Sequence, residues 1–211
     1  MNADASHSND MTPAIDRAVS IMSEFTCPWG VAGGWAIDLF LGRETRLHAD
    51  LDIAVLRNDQ HELRLRLTDA RVEKVEALGL TEWKVGEQLE LPVHEIHVQY
   101  ADGLHLEFLL NECDRETNQW LFRRDARVRR AMSAAFHERD GVPYLSPEIV
   151  LLYKSKAPAT KDDADFTAVV ARLGREQRNW LRNALSLTMP GHRWIDCFES
   201  AQAPGMDVGA G

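Results

Sequence analysis

Two aspartates separated by a single residue, Asp50 and Asp52, lie in the stretch Leu47-His-Ala-Asp-Leu-Asp-Ile-Ala-Val55. On a β-strand, alternate residues project to the same face. Read as a strand, this stretch points Asp50 and Asp52 together, with Cα atoms roughly 6–7 Å apart. Leu51, Ile53 and Val55 then face a core. Two carboxylates side by side repel unless a cation lies between them. Hard oxygen ligands of this kind suit Mg²⁺, which keeps several waters and takes substrate phosphates as further ligands. Upstream stands the pair Gly33-Gly34. Neither has a Cβ, so backbone N–H groups can come close to an anion. Residues 35–41 read as a short helix, whose N-terminus offers partial positive charge and unpaired donors to a phosphate. A Gly-Gly pair alone is an ordinary turn, and an Asp-x-Asp alone is a weak signal. Their ordered combination, phosphate cradle then paired metal carboxylates, points to metal-assisted chemistry at a nucleoside triphosphate.

The elements that must hold these residues follow from pattern. Thr12-Pro13 opens a helix, with Thr as cap and Pro in the first turn. Ile15, Ala18, Val19 and Met22 follow at helical spacing. The strand–helix–strand unit bearing the glycines and aspartates ends near Leu56. Asp59-Gln-His-Glu62 fits a capping box and predicts a helix to about Ala70. Residues 72–86 read as one or two strands. Residues 95–100 and 104–110 flank Asp102-Gly103, a strong hairpin signal. From residue 146 the pattern turns helical. Ser146-Pro147-Glu148 starts one helix, with Ile149, Leu152 and Tyr153 on one face. Thr160-Lys-Asp-Asp163 is a second capping box, leading into Phe166, Val169, Val170 and Leu173. Gly174 separates a further helix from Arg175 to about Leu187, and Pro190-Gly191 breaks the chain before an apolar piece around Trp194. The expected fold is therefore α+β. A mixed-sheet catalytic domain spans 11–140 and a small helical C-terminal domain spans 141–200, with disordered tails at 1–10 and 201–211. Substrate is expected at the junction of the two domains.

The chain has 211 residues, enough for one large or two small domains. A hydrophobic fraction of 45% fits a globular protein. No apolar run approaches the roughly 20 residues of a membrane span. The first ten residues are polar and acidic, unlike a signal peptide. Cys27, Cys113 and Cys197 have neither zinc spacing nor the look of a disulfide framework, so a reducing cytoplasm is the expected compartment. The net charge of −9 argues against DNA or RNA as partner, because such binding relies on clustered Lys and Arg. It is compatible with a cationic small molecule.

The motif resembles the nucleotidyltransferases of the DNA polymerase β superfamily, whose signature is Gly-Gly or Gly-Ser, a helix, then Asp-x-Asp on a strand. More narrowly, Gly33-Gly-Trp-Ala-Ile-Asp38, Gly42-Arg-Glu-Thr-Arg46 and His48-Ala-Asp-Leu-Asp52 resemble the branch of aminoglycoside 2''-O-nucleotidyltransferases and lincosamide nucleotidyltransferases. The likeness continues through Trp120-Leu-Phe-Arg-Arg-Asp125, Tyr144-Leu-Ser-Pro-Glu148, Lys154-Ser-Lys156 and Lys161-Asp-Asp-Ala-Asp-Phe166, and covers about residues 25–195. The gap from Gly34 to Asp50 is slightly longer than the general superfamily pattern and agrees with the Gly-Gly-Trp branch.

By itself, Glu107 reads as a solvent-facing residue of a half-buried strand. The resemblance makes it the third active-site carboxylate, a metal ligand or the group that takes the proton from the attacking hydroxyl. The family more usually has Asp there. Glu112, at the end of that strand, is the weaker candidate. Together with Asp50 and Asp52, Glu107 would hold Mg²⁺. Gly33, Gly34, Arg46, Lys154 and Lys161 are the residues expected at the triphosphate. Lys154 and Lys161 also read as ordinary helix charges, and Arg43 and Arg46 as loop locks pairing with Asp38 or Glu44. His48 reads as a ligand or as a hydrogen-bonding neighbour of an aspartate on the same strand face. Trp35 reads as core packing, and Asp162 and Asp165 as partners of basic groups across the domain junction. His94 and His97 have no partner pattern. The implied activity is Mg²⁺-dependent transfer of AMP, or another nucleoside monophosphate, from ATP or another triphosphate to a hydroxyl of a small molecule. The alternatives are a non-catalytic nucleotide-binding regulatory module, or transfer to a protein or tRNA acceptor, the latter disfavoured by the acidic charge.

Overall fold

The computed structural model describes residues 13–200, with side chains through 198. The tails at 1–10 and 201–211 and the Thr12 cap lie outside these residues. The chain divides into two compact units, the first ending at Ser146 and the second beginning at Pro147.

The first unit opens with α1 (Pro13–Met22), which buries Ile15, Ala18 and Met22, the stripe that a 3.6-residue period creates. Then come β1 (Trp29–Val31), α2 (Gly33–Leu41) and β2 (Asp52–Leu56). A 3₁₀ turn at Arg57–Asp59 leads to α3 (Gln60–Arg66), β3 (Ala70–Glu76) and β4 (Gly79–Glu82). The hairpin expected around Asp102-Gly103 forms from β5 (Glu95–Tyr100) and β6 (His105–Asp114). Short strands β7 (Gln119–Leu121), β8 (Arg129–Ala131), β9 (Phe136–Arg139) and β10 (Val142–Leu145) complete the unit.

All ten strands share one mixed sheet in the order β4-β3-β5-β6-β2-β1-β10-β9, with β7 on the far end of β6 and β8 on β7. The β2–β6 and β1–β10 pairs are parallel, and the other pairs are antiparallel. A parallel pair cannot be closed by a tight turn, so α3 and the β3–β5 strands fill the crossover between β2 and β6. Strand β5 alternates cleanly. Ile96, Val98 and Tyr100 are buried, and Glu95, His97 and Gln99 face the other way. The opposed face of β6 likewise buries Leu106, Phe108 and Leu110. What remains on the second face is a polar row, with Asp52 opposite Glu107 and Glu107 opposite His97.

Two expected caps are corrected. Asp59 makes no capping bond, because its carboxylate accepts from Arg115. The helix it was expected to open is short. It ends at Arg66 rather than near Ala70, where the chain already enters β3.

The second unit contains α4 (Pro147–Lys154), α5 (Thr160–Val170), α6 (Arg175–Thr188) and α7 (Arg193–Ser200). Pro147 occupies the first helical position, where its missing N–H costs nothing. The cap of α5 is Ala159, not Thr160. Asp162 reaches back to accept from the Ala159 amide at 2.9 Å, so the box closes one residue earlier than expected. Phe166 stacks on Trp194 with ring centroids 4.4 Å apart, and Phe198 meets it edge-on at 5.6 Å. Among the described residues, no helix is long and apolar enough to cross a membrane.

Candidate active site

The Gly-Gly pair sits where β1 turns into α2. Gly33 has φ +57°, in the left-handed region that a side chain disfavours. A Cβ built on it would lie 1.8 Å from Asp52 Oδ2. One built on Gly34 would lie 2.2 Å from His48 Nδ1 and 2.7 Å from Arg46 Nη2. The space that a side chain would fill at each glycine is thus taken by the site's own groups. The start of α2 is seated directly against the Asp52 carboxylate, His48 and Arg46.

The rest of α2 explains how that seat is held. Asp38 is buried and accepts from the Thr45 amide at 3.1 Å, the Thr45 hydroxyl at 2.5 Å and His48 Nε2 at 2.5 Å. Gly42, at φ +71°, closes the helix by donating to the Asp38 carbonyl. Arg139 Nη1 donates to the Leu39 and Phe40 carbonyls, satisfying groups that a helix end leaves open. The loop of residues 45–48 is therefore tied to α2. This corrects the expectation that His48, Asp50 and Asp52 share a strand face. Strand β2 begins only at Asp52, and ladder bonds reach back to the Leu51 carbonyl but no further. Asp50 is exposed in the preceding loop, and His48 is drawn away to Asp38. Asp38 is thus claimed by Thr45 and His48, not by Arg43. Trp35, expected in the core, is half-buried and lies against the His48 ring at 4.6 Å. Arg46 stays beside Gly34, with Nη1 donating to the Leu47 carbonyl at 3.2 Å.

Glu107 enters from the neighbouring strand. The parallel register sets it opposite Asp52, and strand alternation points both to one face. Burial pushes the Glu107 carboxyl above its ordinary range, and the charges of Asp50 and Glu95 push in the same direction. His97 and a hydrogen bond with Asp52 work against that rise. Glu112, by contrast, is a structural partner. It accepts from Arg57 Nε at 2.7 Å, while Arg57 Nη1 donates to the Leu89 and Val93 carbonyls.

Asp50, Asp52, Glu107, Gly33, Gly34 and Arg46 all belong to the first unit. Lys154 and Lys161 belong to the second. Lys154 Nζ lies 2.7 Å from Asp162 and 3.1 Å from Asp165, so both aspartates find a basic partner inside the helical unit rather than across a junction. Lys161 is exposed in the first turn of α5. Sequence reasoning missed the buried Asp38–His48 pair, the Arg139 clasp on α2, and the two histidines beside Glu107. The signal for Asp38 was present, since a lone acid in an apolar helix flanked by Ile37 and Leu39 calls for a partner.

A mixed sheet of this order, with helices around it and a helical unit after it, is the fold of a nucleotidyltransferase. Residues 14–173 match the family model described as aminoglycoside-2''-adenylyltransferase, and the chain belongs to that family. It is accordingly an enzyme that uses a nucleoside triphosphate as co-substrate and transfers a nucleoside monophosphate to a small-molecule hydroxyl. Among solved structures it is similar to the lincosamide antibiotic adenylyltransferase LnuA with lincomycin bound. That match has 15% identity and TM-score 0.54, covering 77% of this chain and 98% of that one. It is also similar to ANT(2'')-Ia in complex with adenylyl-2''-tobramycin, with 21% identity and TM-score 0.53, covering 82% and 95%. A solution structure of ANT(2'')-Ia matches with 20% identity and TM-score 0.55, covering 89% and 95%. At these identities the likeness is one of fold. No curated protein matches the chain.

Proposed function

We propose that the chain moves AMP from ATP to a hydroxyl of a small cationic antibiotic of aminoglycoside or lincosamide type, and releases pyrophosphate. The observation that carries this reading is the in-register pair of Asp52 and Glu107, with Gly33 packed against Asp52. The family and the net charge of −9 support the class of acceptor, because an acidic protein attracts cations.

Asp50, Asp52 and Glu107 would hold Mg²⁺. The fit is one of donor chemistry, since the charge of Asp50 and a hydrogen bond with Asp52 both bear on the Glu107 carboxyl, all donors are oxygens, and Gly33 leaves no room for Asp52 to swing toward α2. When bound, Mg²⁺ supplies charge neutralisation at the phosphates and makes the acceptor hydroxyl more acidic. The chain's own residues do the rest. Asp52 is fixed between β6 and the start of α2, which keeps its carboxylate from reorienting. Glu107, raised by burial, is the group that accepts the proton from the hydroxyl whose oxygen bonds to the α-phosphorus as the bond to pyrophosphate breaks. The Arg46 guanidinium and the open amides at the start of α2 would hold the phosphate oxygens. Positioning and preorganised charge thus provide most of the acceleration.

The test is pyrophosphate release with Mg²⁺, ATP and a panel of aminoglycosides and lincosamides, with Asp50→Asn as control. Acceptor-dependent release that is lost in the control is the expected result. ATP binding without release for any acceptor overturns the proposal in favour of a regulatory module. Release only with a protein or tRNA acceptor overturns the choice of substrate.

A further inference from the structure

The polar row on the sheet does not stop at Glu107. His97 lies directly opposite it on β5, and His105 lies two residues before it on β6. In both cases the pleat turns the side chain to the same face as Glu107. One ligand atom from each of His97, His105 and Glu107 falls within 4.8 Å of the other two. The two imidazole rings meet edge to face, with centroids 5.2 Å apart. His97 Nε2 is 3.9 Å from Glu107 Oε1 and 2.8 Å from Glu95 Oε1. All three side chains are half-buried, open enough for an ion to enter and enclosed enough to be held.

We propose that His97, His105 and Glu107 form a second cation site, for a divalent transition metal such as Zn²⁺, beside the aspartate pair and sharing Glu107 with it. The chemistry separates this site from the first. Imidazole nitrogen suits zinc, cobalt and nickel, whereas Mg²⁺ takes oxygen. Two histidines and one carboxylate make a three-ligand set that leaves one coordination position open. Bonds of about 2.0–2.1 Å require ligand atoms roughly 3.4 Å apart in a tetrahedron. The side chains must therefore close by up to about 1.4 Å, which rotation about χ angles supplies, because the paired strands already fix the backbone register. Glu95, which is bonded to His97, can turn to the rim and accept from an imidazole N–H. One consequence rests on the transfer role proposed above for Glu107, although the site itself does not. An ion that engages Glu107 from the β5 side withdraws it from the reacting hydroxyl, so zinc inhibits transfer.

The experiment uses the full chain, stripped of metal and titrated with Co²⁺ in millimolar Mg²⁺, with the visible d–d absorption recorded. One equivalent of Co²⁺ with bands of low-coordinate nitrogen ligation is expected. His97→Gln and His105→Gln should each weaken binding at least about tenfold, and Asp50→Asn should not abolish it. In the unmodified protein, Zn²⁺ should shift the imidazole proton resonances of two histidines and no others, a readout that needs no variant to fold. Co²⁺ binding that survives both histidine substitutions, or disappears with Asp50→Asn, overturns the proposal. So does a Zn²⁺ titration that moves no histidine signal.

Discussion

Gly33→Ala should silence the enzyme while leaving it folded. The added methyl would lie 1.8 Å from Asp52 Oδ2 and 2.9 Å from its Cγ. An ordinary contact is about 3.4 Å, so the carboxylate oxygen must retreat by roughly 1.6 Å. A 1 Å misplacement at a reacting centre can cost about 10²-fold, and kcat should therefore fall at least about 100-fold. The backbone contributes separately, because φ +57° for an alanine costs about 1–2 kcal/mol. At roughly 2–4 °C per kcal/mol for a chain of this size, the melting temperature should drop by about 2–8 °C. Gly86→Ala isolates that backbone cost, since Gly86 has φ +84° and nothing within 4 Å of its would-be Cβ. Pyrophosphate release at saturating ATP and acceptor, together with thermal melts followed by circular dichroism, separates the two effects. The expected pattern is a similar loss of stability in both variants and a loss of turnover in Gly33→Ala alone. Turnover of Gly33→Ala within about threefold of the parent would refute the reasoning, as would equal loss in the Gly86 variant.

Three further outcomes are expected. Asp52→Asn removes the carboxylate set opposite Glu107, so turnover should fall by about 10³-fold or more with the fold intact; a folded variant with substantial turnover contradicts the assignment. Lys154→Ala leaves Asp162 and Asp165 without their shared ammonium and should cost about 3 kcal/mol. Burial alone would raise the Asp162 carboxyl, but Lys154 and the Ala159 amide outweigh it and hold it below the usual range. Its contribution is thus present above the ordinary carboxylate pKa and is lost as pH falls through the lowered one. Without Lys154, acid unfolding should begin at higher pH, and an unchanged acid limb would disprove the pairing. Cys27 is pushed up to about 12, first by burial and then by its hydrogen bond to Glu62 and the nearby Asp59 charge. At pH 8 only about one Cys27 in ten thousand is thiolate. Peptide mapping after iodoacetamide treatment should find exposed Cys197 alkylated first, and early modification of Cys27 would count against this environment.

Local pattern is most legible where the chain obeys one periodicity. Glu95, His97 and Gln99 alternate with buried residues, as do His105 and Glu107, so the faces of β5 and β6 can be read directly. Pro147 and the Asp102-Gly103 turn likewise act within a few residues of themselves. Two of the failures are captures of a side chain by a partner outside its own motif. The Asp59 carboxylate goes to Arg115 rather than to its own helix, and His48 goes to Asp38 rather than to the next strand face. In each case a partner outside the motif outbids it, 56 residues away for Asp59 and 10 residues away for His48. Strands β7 and β8 have three residues each, and β9 and β10 four, too short for a period to declare itself. Asp50 is the instructive middle case. The Asp-x-Asp spacing is read correctly, but the strand that was to carry both residues starts at the second.

The parallel pairing of β2 with β6 has a consequence for the order in which the molecule becomes competent. Asp52 is synthesised long before Glu107, and no hairpin can zip the two strands together. During translation the aspartates emerge first and wait while β3, β4 and β5 are made and folded back. The reaction centre is therefore closed by one of the high-contact-order steps of folding, not by an early local event. A ligand lodged between Asp52 and Glu107 acts afterwards as a clasp across that late seam. It favours the closed chain over any partly opened one by mass action, so resistance to proteolysis should track occupancy of the centre.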